Sequence, residues 1–330
     1  MKKFFFCAAA AIVALASCSK TQVVYNDAPQ EIGFKAVTGV MTKTTTFADD
    51  MELGVFANRS TGDNNADGGV YFGNTPFAKG NGDTWTAEGK YWPLQDALNF
   101  TVYAPHDSEA IYKNNVLTIP VDDNSTDQID WLYGAERYLG KEKGSVVATA
   151  LNHGLSKVTV KVYADEASVY TLTGVQLDET YQEGTLVITY GVNGPSVDAQ
   201  LPVEEAYQTK PMNYISSETP ITTVTNTEEN PAQSLGSVYV FPSDQTSFTV
   251  SYKIAGAGNN VLTAPIKLDG DWAPGKHYTY VLKFTANKIE FSEPEINGWE
   301  DQNEVERDPQ DEVERDPQAA PEPQAPSQGA

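Results

Sequence analysis

Apolar and polar residues alternate with a period of two through most of this chain. Phe100, Val102 and Ala104 alternate with Asn99, Thr101 and Tyr103. Val158, Val160 and Val162 alternate with Lys157, Thr159 and Lys161, and Phe248, Val250, Tyr252 and Ile254 with Thr249, Ser251 and Lys253. Tyr278, Tyr280, Leu282 and Phe284 alternate with His277, Thr279, Val281 and Lys283. Successive side chains of a strand point to opposite faces, so each run predicts a strand that buries one face. Turn-forming clusters separate the runs: Gly62-Asp63-Asn64-Asn65, Gly80-Asn81-Gly82-Asp83, Val192-Asn193-Gly194-Pro195 and Ala257-Gly258-Asn259-Asn260. Glycine and asparagine tolerate the positive φ of tight turns. No long helical periodicity competes, and Ser108–Tyr112 predicts one turn of helix at most. Many short strands with this punctuation predict an all-β chain of β-sandwich domains.

A boundary is expected near Asp165-Glu166-Ala167-Ser168, where one strand ends and a new β series begins at Val169. Val203 to Asn230 is polar, with few β-rich runs, and reads as a long loop or excursion. Glu304-Val305-Glu306-Arg307-Asp308-Pro309-Gln310 recurs as Glu312-Val313-Glu314-Arg315-Asp316-Pro317-Gln318, and Ala, Pro and Gln then run to Ala330. From Asp301 onward nine acids face two arginines, a net of −7. So few large apolar residues cannot offset the entropy of ordering, and a disordered acidic, proline-rich tail is expected. The expected organisation is a signal over 1–17, β domains over 18–166 and 167–302, and the repeat tail over 303–330.

The first residues set the compartment. Lys2-Lys3 precedes an apolar run from Phe4 to Ala16, followed by Ser17 and Cys18. At about 1.5 Å per helical residue that run reaches about 20 Å, short of a bilayer core of about 30 Å. It reads as a secretory signal rather than a transmembrane anchor. Leu15-Ala16-Ser17-Cys18 resembles a bacterial lipobox, which implies cleavage before Cys18, a lipid on its thiol and attachment to the outer membrane.

Charge and cysteine content then narrow the function. The formal net charge is −23, and loss of Lys2 and Lys3 with the signal lowers it to −25. Such a chain repels nucleic-acid phosphates, so no nucleic-acid partner is expected. Cys7 lies in the signal and Cys18 is the lipid site, so no disulfide is available and stability rests on core burial. His106, His153 and His277 are the only histidines, without zinc spacing, and no Gly-x-Ser-x-Gly elbow marks a nucleophile. Gly80-x-Gly82 and Gly256-x-Gly258 precede no helical pattern that could cradle phosphate. Asp122, Asp123, Asn124, Asp127 and Asp130 offer oxygen ligands but lack EF-hand spacing and read as an exposed acidic loop. No catalytic residue, metal or cofactor is assigned.

Several segments, taken in order, resemble the fimbrillin family of Bacteroidetes, the subunits and relatives of type V pili. They are Leu53-Gly54-Val55-Phe56-Ala57 after Thr42-Lys43-Thr44, then Tyr91-Trp92-Pro93-Leu94 leading into Asn99 to Pro105. Asp130-Trp131-Leu132-Tyr133-Gly134-Ala135 precedes Asn152-His153-Gly154-Leu155-Ser156-Lys157-Val158. Trp272-Ala273-Pro274-Gly275-Lys276-His277-Tyr278-Thr279-Tyr280 and Ile296-Asn297-Gly298-Trp299 complete the series. The resemblance implies two tandem transthyretin-like β-sandwich domains and a role in pilus assembly or adhesion. It also implies export as a lipoprotein, proteolytic release of the first strand, and filling of the vacated groove by a strand from a neighbouring subunit.

On this chain the candidate first strand is Glu31 to Val40, with Ile32, Phe34 and Ala36 on one face. The nearest basic cut sites are Lys43 and Arg59. A cut at Arg59 would remove two strands, which favours Lys43, and an arginine-strict protease would find no site in the first linker. The expected partners are other pilus subunits through strand addition, the membrane through Cys18, and host or bacterial surface ligands. The rival reading is a monomeric glycan-binding lipoprotein. Trp85, Trp92, Trp131, Trp272 and Trp299 separate the two: exposed rings would stack on sugars, buried rings favour the pilus.

Overall fold

A computed structural model describes residues 29–38, 47–62, 67–80, 82–121, 128–140, 146–180, 184–191, 194–200, 210–215, 217–243, 247–267, 271–286, 288–291 and 293–299. Cys18, Lys43, the acidic run from Asp122 to Asp127 and the repeat tail lie outside them. The described residues form strands and no helix. The first nine strands are β1 (Glu31–Thr38), β2 (Leu53–Ser60), β3 (Asp67–Lys79), β4 (Trp85–Tyr91), β5 (Leu98–Ala104), β6 (Ile111–Lys113), β7 (Val116–Val121), β8 (Leu132–Leu139) and β9 (Val146–His153). They are followed by β10 (Ser156–Ala164), β11 (Tyr170–Thr180), β12 (Gly184–Gly191), β13 (Gly194–Gln200), β14 (Lys210–Ile215) and β15 (Thr219–Pro220). The last six are β16 (Gln233–Val240), β17 (Ser247–Ile254), β18 (Leu262–Lys267), β19 (Lys276–Phe284), β20 (Ile289–Phe291) and β21 (Glu295–Gly298).

The chain builds three packed bodies of sheet. The first is a closed barrel in the order β1-β4-β3-β2-β5-β8-β9, with β9 returning to β1 in parallel. Its closure depends on β3, whose first part pairs with β2 and whose last residues pair with β4. Ile32, Phe34, Phe77, Trp85, Phe100 and Leu151 fill it. In the second body, the sheet β16-β10-β19 with β20 and β21 packs on the sheet β14-β11-β17-β18 with β15. Val160, Leu172, Phe248, Trp272, Tyr280 and Phe284 form its core. The third is the sheet β13-β12-β7-β6, in which β7 from the first half pairs with β12 from the second along six residue pairs. Beneath it lie Phe56, Tyr103, Leu117, Ile188, Trp131 and Trp299.

Three local expectations change. β5 buries both faces, not one: Phe100 and Val102 face the barrel core, while Tyr103 packs beneath the shared sheet. Its polar residues survive burial because they are hydrogen-bonded. Asn99 donates to Asp67 at 2.8 Å, and the Arg137 guanidinium reaches Thr101. Ser108–Tyr112 is a turn that enters β6 at Ile111, with no helical segment. The polar stretch Val203–Asn230 is not all loop, since β14 and β15 within it both pair with β11. Among the expected turn clusters, Ala257-Gly258-Asn259-Asn260 separates β17 from β18, and Gly62, Gly82 and Gly258 have positive φ.

Candidate functional site

The first strand lies in a groove with a wall on each side. Gly33 to Thr38 pair in parallel with Val146 to Leu151 of β9. The other edge of β1 meets β4 antiparallel, with Glu31 opposite Tyr91 and Phe34 opposite Trp85. Ile32, Phe34 and Ala36 are buried while Glu31 and Lys35 face solvent, as their alternation requires. The Phe34 ring stands edge-on to Phe77 at 5.1 Å and to Phe100 at 5.2 Å. Burying Ile32 and Phe34 contributes roughly 3–6 kcal/mol as an upper bound. Losing β1 would leave two unpaired strand edges and an apolar trough at once, a ready template for another strand.

The chain on either side of the 39–46 linker is anchored. It resumes at Phe47, whose buried ring stands edge-on to Trp85 at 5.3 Å. The Lys79 ammonium donates to the Phe47 carbonyl at 3.1 Å and to the Asp49 carboxylate at 3.1 Å. Lys79 also lies over the Trp85 ring, so its charge is held beside the point of re-entry. Arg59 is placed differently from a linker residue. Its backbone pairs with Leu98 inside β2, its guanidinium pairs with Asp96, and it lies 5.2 Å from the centre of the Tyr71 ring. A protease would have to pull β2 out of its ladder to reach that bond.

At the other end of the chain, β20 and β21 pair in succession along one edge of β19. Trp299 ends this run and is buried against the barrel side. Its indole stacks on His153, with ring centroids 4.0 Å apart and planes at 7°. The ring lies 4.9 Å from Tyr239, and the Lys157 ammonium is 5.8 Å from its centre. His153 Nδ1 is 2.9 Å from Asp130 Oδ2. His153 thus has a packed role, fixed by one carboxylate and one indole.

All five tryptophans are buried, at 1–6 % exposure. Among the described residues no group of three or more His, Cys, Asp or Glu could hold a metal. Asp130, the described member of the acidic run, is committed to His153. His277 Nε2 is 2.7 Å from Thr159 Oγ1, which is 2.6 Å from Ser237 Oγ, and this row runs across the neighbouring strands β19, β10 and β16. Burial, then Lys157 and Lys161, push the His277 pKa below its ordinary value. Burial pushes the Tyr103 phenol up to about 12, and burial together with an Asp67 hydrogen bond does the same for Tyr112.

Alternation located β1 but not its groove partners, because Phe77, Trp85 and Val147 come from strands whose pairing no local pattern specifies. The Trp299–His153 stack is equally invisible to local pattern, although both residues belong to the fimbrillin-like segments.

A family model described as fimbrillin-like matches residues 38–299. A fimbrial protein from Bacteroides vulgatus has a similar structure: TM-score 0.62, 18% identity, covering 82% of this chain and 100% of that one. A candidate cell adhesion protein from Bacteroides uniformis gives a TM-score of 0.53 at 18% identity, covering 82% of this chain and 99% of that one. At such identity these two likenesses bear on the fold. No curated protein matches the chain. The family model spans most of the sequence, from the end of β1 to Trp299, and the chain therefore belongs to the fimbrillin-like family.

Proposed function

We propose that this protein is a surface lipoprotein subunit or accessory component of a type V pilus, assembled by strand addition. The seating of β1 is the observation that carries this reading. Ile32, Phe34 and Ala36 fill a trough whose two borders, β4 and β9, both hydrogen-bond the strand. Release of β1 would open a groove that accepts a strand from a neighbour, with main-chain bonds giving affinity and alternate side chains giving register. Lys43 in the adjoining linker is the processing residue in this proposal, and Arg59 serves only if β2 leaves with β1. Lipid on Cys18 would hold the chain at the outer membrane before assembly.

The fimbrillin-like family is one of fimbrial and adhesion proteins, and no step of catalysis is assigned to the chain. The glycan-binding alternative loses its main support, because the five indoles that would stack on sugars are inside.

Intact-mass analysis of the protein purified from its own host tests the reading. A mature terminus at Thr44 supports strand release. An acylated Cys18 with an uncut chain would overturn the strand-releasing subunit and leave an anchor or monomeric lipoprotein.

A further inference from the structure

One face of the sheet β16-β10-β19 is basic in a chain that is otherwise strongly acidic. Val158, Val160 and Val162 of β10 and Tyr278, Tyr280 and Leu282 of β19 point into the core. The alternate residues share the opposite face. Register places Lys157 beside His277, Lys161 beside Val281, and Tyr163 beside Lys283. On the flanking strands, Tyr239 stands opposite Lys157 and Ser237 opposite Thr159. Three lysines and a histidine therefore line two adjacent strands.

The acids facing them are few. Glu290 lies opposite Lys283, 3.7 Å from its ammonium, and Glu295 lies opposite Thr279. Among the described residues no carboxylate comes within ion-pairing distance of Lys157 or Lys161. The lowered pKa of His277, caused after burial by Lys157 and Lys161, reports the same positive field.

We propose that this face is the docking surface for the chain's own acidic C-terminal extension, residues 301–330, whose carboxylates pair with Lys157, Lys161 and Lys283. Two observations choose this occupant. The extension carries nine acids against two arginines, most of them in the two Glu-Val-Glu-Arg-Asp-Pro-Gln repeats. The described chain also ends at this face, since Trp299 lies against Lys157 and Tyr239 at the border of the same sheet. An extended residue reaches about 3.3 Å, so even the first repeat can traverse the face. Tethering supplies an effective concentration on the order of millimolar, which lets individually weak surface ion pairs hold the segment.

Zero-length carbodiimide cross-linking of the intact chain at low salt, read by peptide mass spectrometry, tests the proposal. Links should join the repeat carboxylates to Lys157, Lys161 and Lys283. Their yield should fall about fivefold or more in high salt, where the Debye length shrinks to a few ångströms. The double variant Lys161→Glu, Lys283→Glu should also lose the links to Lys157, whose amine it keeps, and the salt arm reads the proposal without any substitution. Links spread evenly over other lysines such as Lys90 and Lys113, or no links at all, would overturn it. Mixing heavy- and light-isotope chains separates the remaining case. Links between heavy and light chains would mean that the face takes a second copy's tail, which also overturns docking in cis.

Discussion

His153 and Trp299 lie face to face, 4.0 Å apart and almost parallel. His153 is the last residue of β9, the closing strand of the barrel, and Trp299 follows β21 at the far end of the described chain. The stack ties the end of the second half to the end of the first. Trp299→Ala removes a buried indole and should cost about 3–5 kcal/mol. Urea unfolding reads the cost, and hydrogen exchange over Glu295–Gly298 should accelerate at the same time. Unchanged protection of β21 would show that its ladder with β19 holds without the indole.

Gly54 on β2 is required by Tyr103. A methyl group at residue 54 would overlap the Tyr103 ring. The ring cannot swing aside freely, because its hydroxyl donates to the Asp107 carbonyl at 2.7 Å and also bonds Asn74 at 2.8 Å. Gly54→Ala should destabilise the protein by about 2–3 kcal/mol through overpacking. A melting temperature equal to that of the parent would contradict this packing.

Asp67 gathers three donors beneath the shared sheet. Asn58 donates to it at 2.9 Å, Asn99 at 2.8 Å and the Tyr112 hydroxyl at 2.7 Å. Asp67→Ala removes the acceptor these donors share in a partly buried site and should cost about 1–3 kcal/mol. Equilibrium unfolding of Asp67→Ala and Asp67→Asn checks this, with the asparagine variant expected to recover part of the loss through its remaining acceptor.

Alkaline pH should weaken the fold from a predictable point. The Tyr103 and Tyr112 phenols ionise near 12 in the folded protein against an ordinary value of 10.0, with burial the leading cause in both. Below pH 10 both states hold these protons, and stability does not depend on them. Between about 10 and 12 the unfolded chain releases protons that the folded chain keeps, so stability falls with rising pH. Denaturant midpoints should be level from about pH 8 to 9.5 and decline above 10. A flat profile to pH 11 would contradict the burial of these phenols.

Much of the strand content could be read from the sequence, because burial of one face imposes a period of two on β10, β17 and β19. The same rule found β1 through Ile32, Phe34 and Ala36. It misread β5, where Asn99 and Thr101 look like a solvent face but are buried against Asp67 and Arg137. Polar residues satisfied by distant partners carry no local mark of their burial. Pairing was hidden for a related reason. Nothing in Val116–Val121 says that, beside Ile111–Lys113 on one edge, its other neighbour is Gly184–Gly191 from the second half. The tryptophans were ambiguous between core and ligand face, a question of exposure that composition cannot answer.

Strand exchange is tested most directly by cutting the purified full chain between Thr38 and Phe47 at an engineered protease site. If β1 is a removable plug, the cut protein should lose residues 29–38 and form ladders of non-covalent oligomers that survive unheated detergent gels. An excess of synthetic peptide carrying Glu31–Thr38 should suppress them. If the cut protein instead keeps β1 seated and stays monomeric over days at high concentration, assembly through this groove is contradicted.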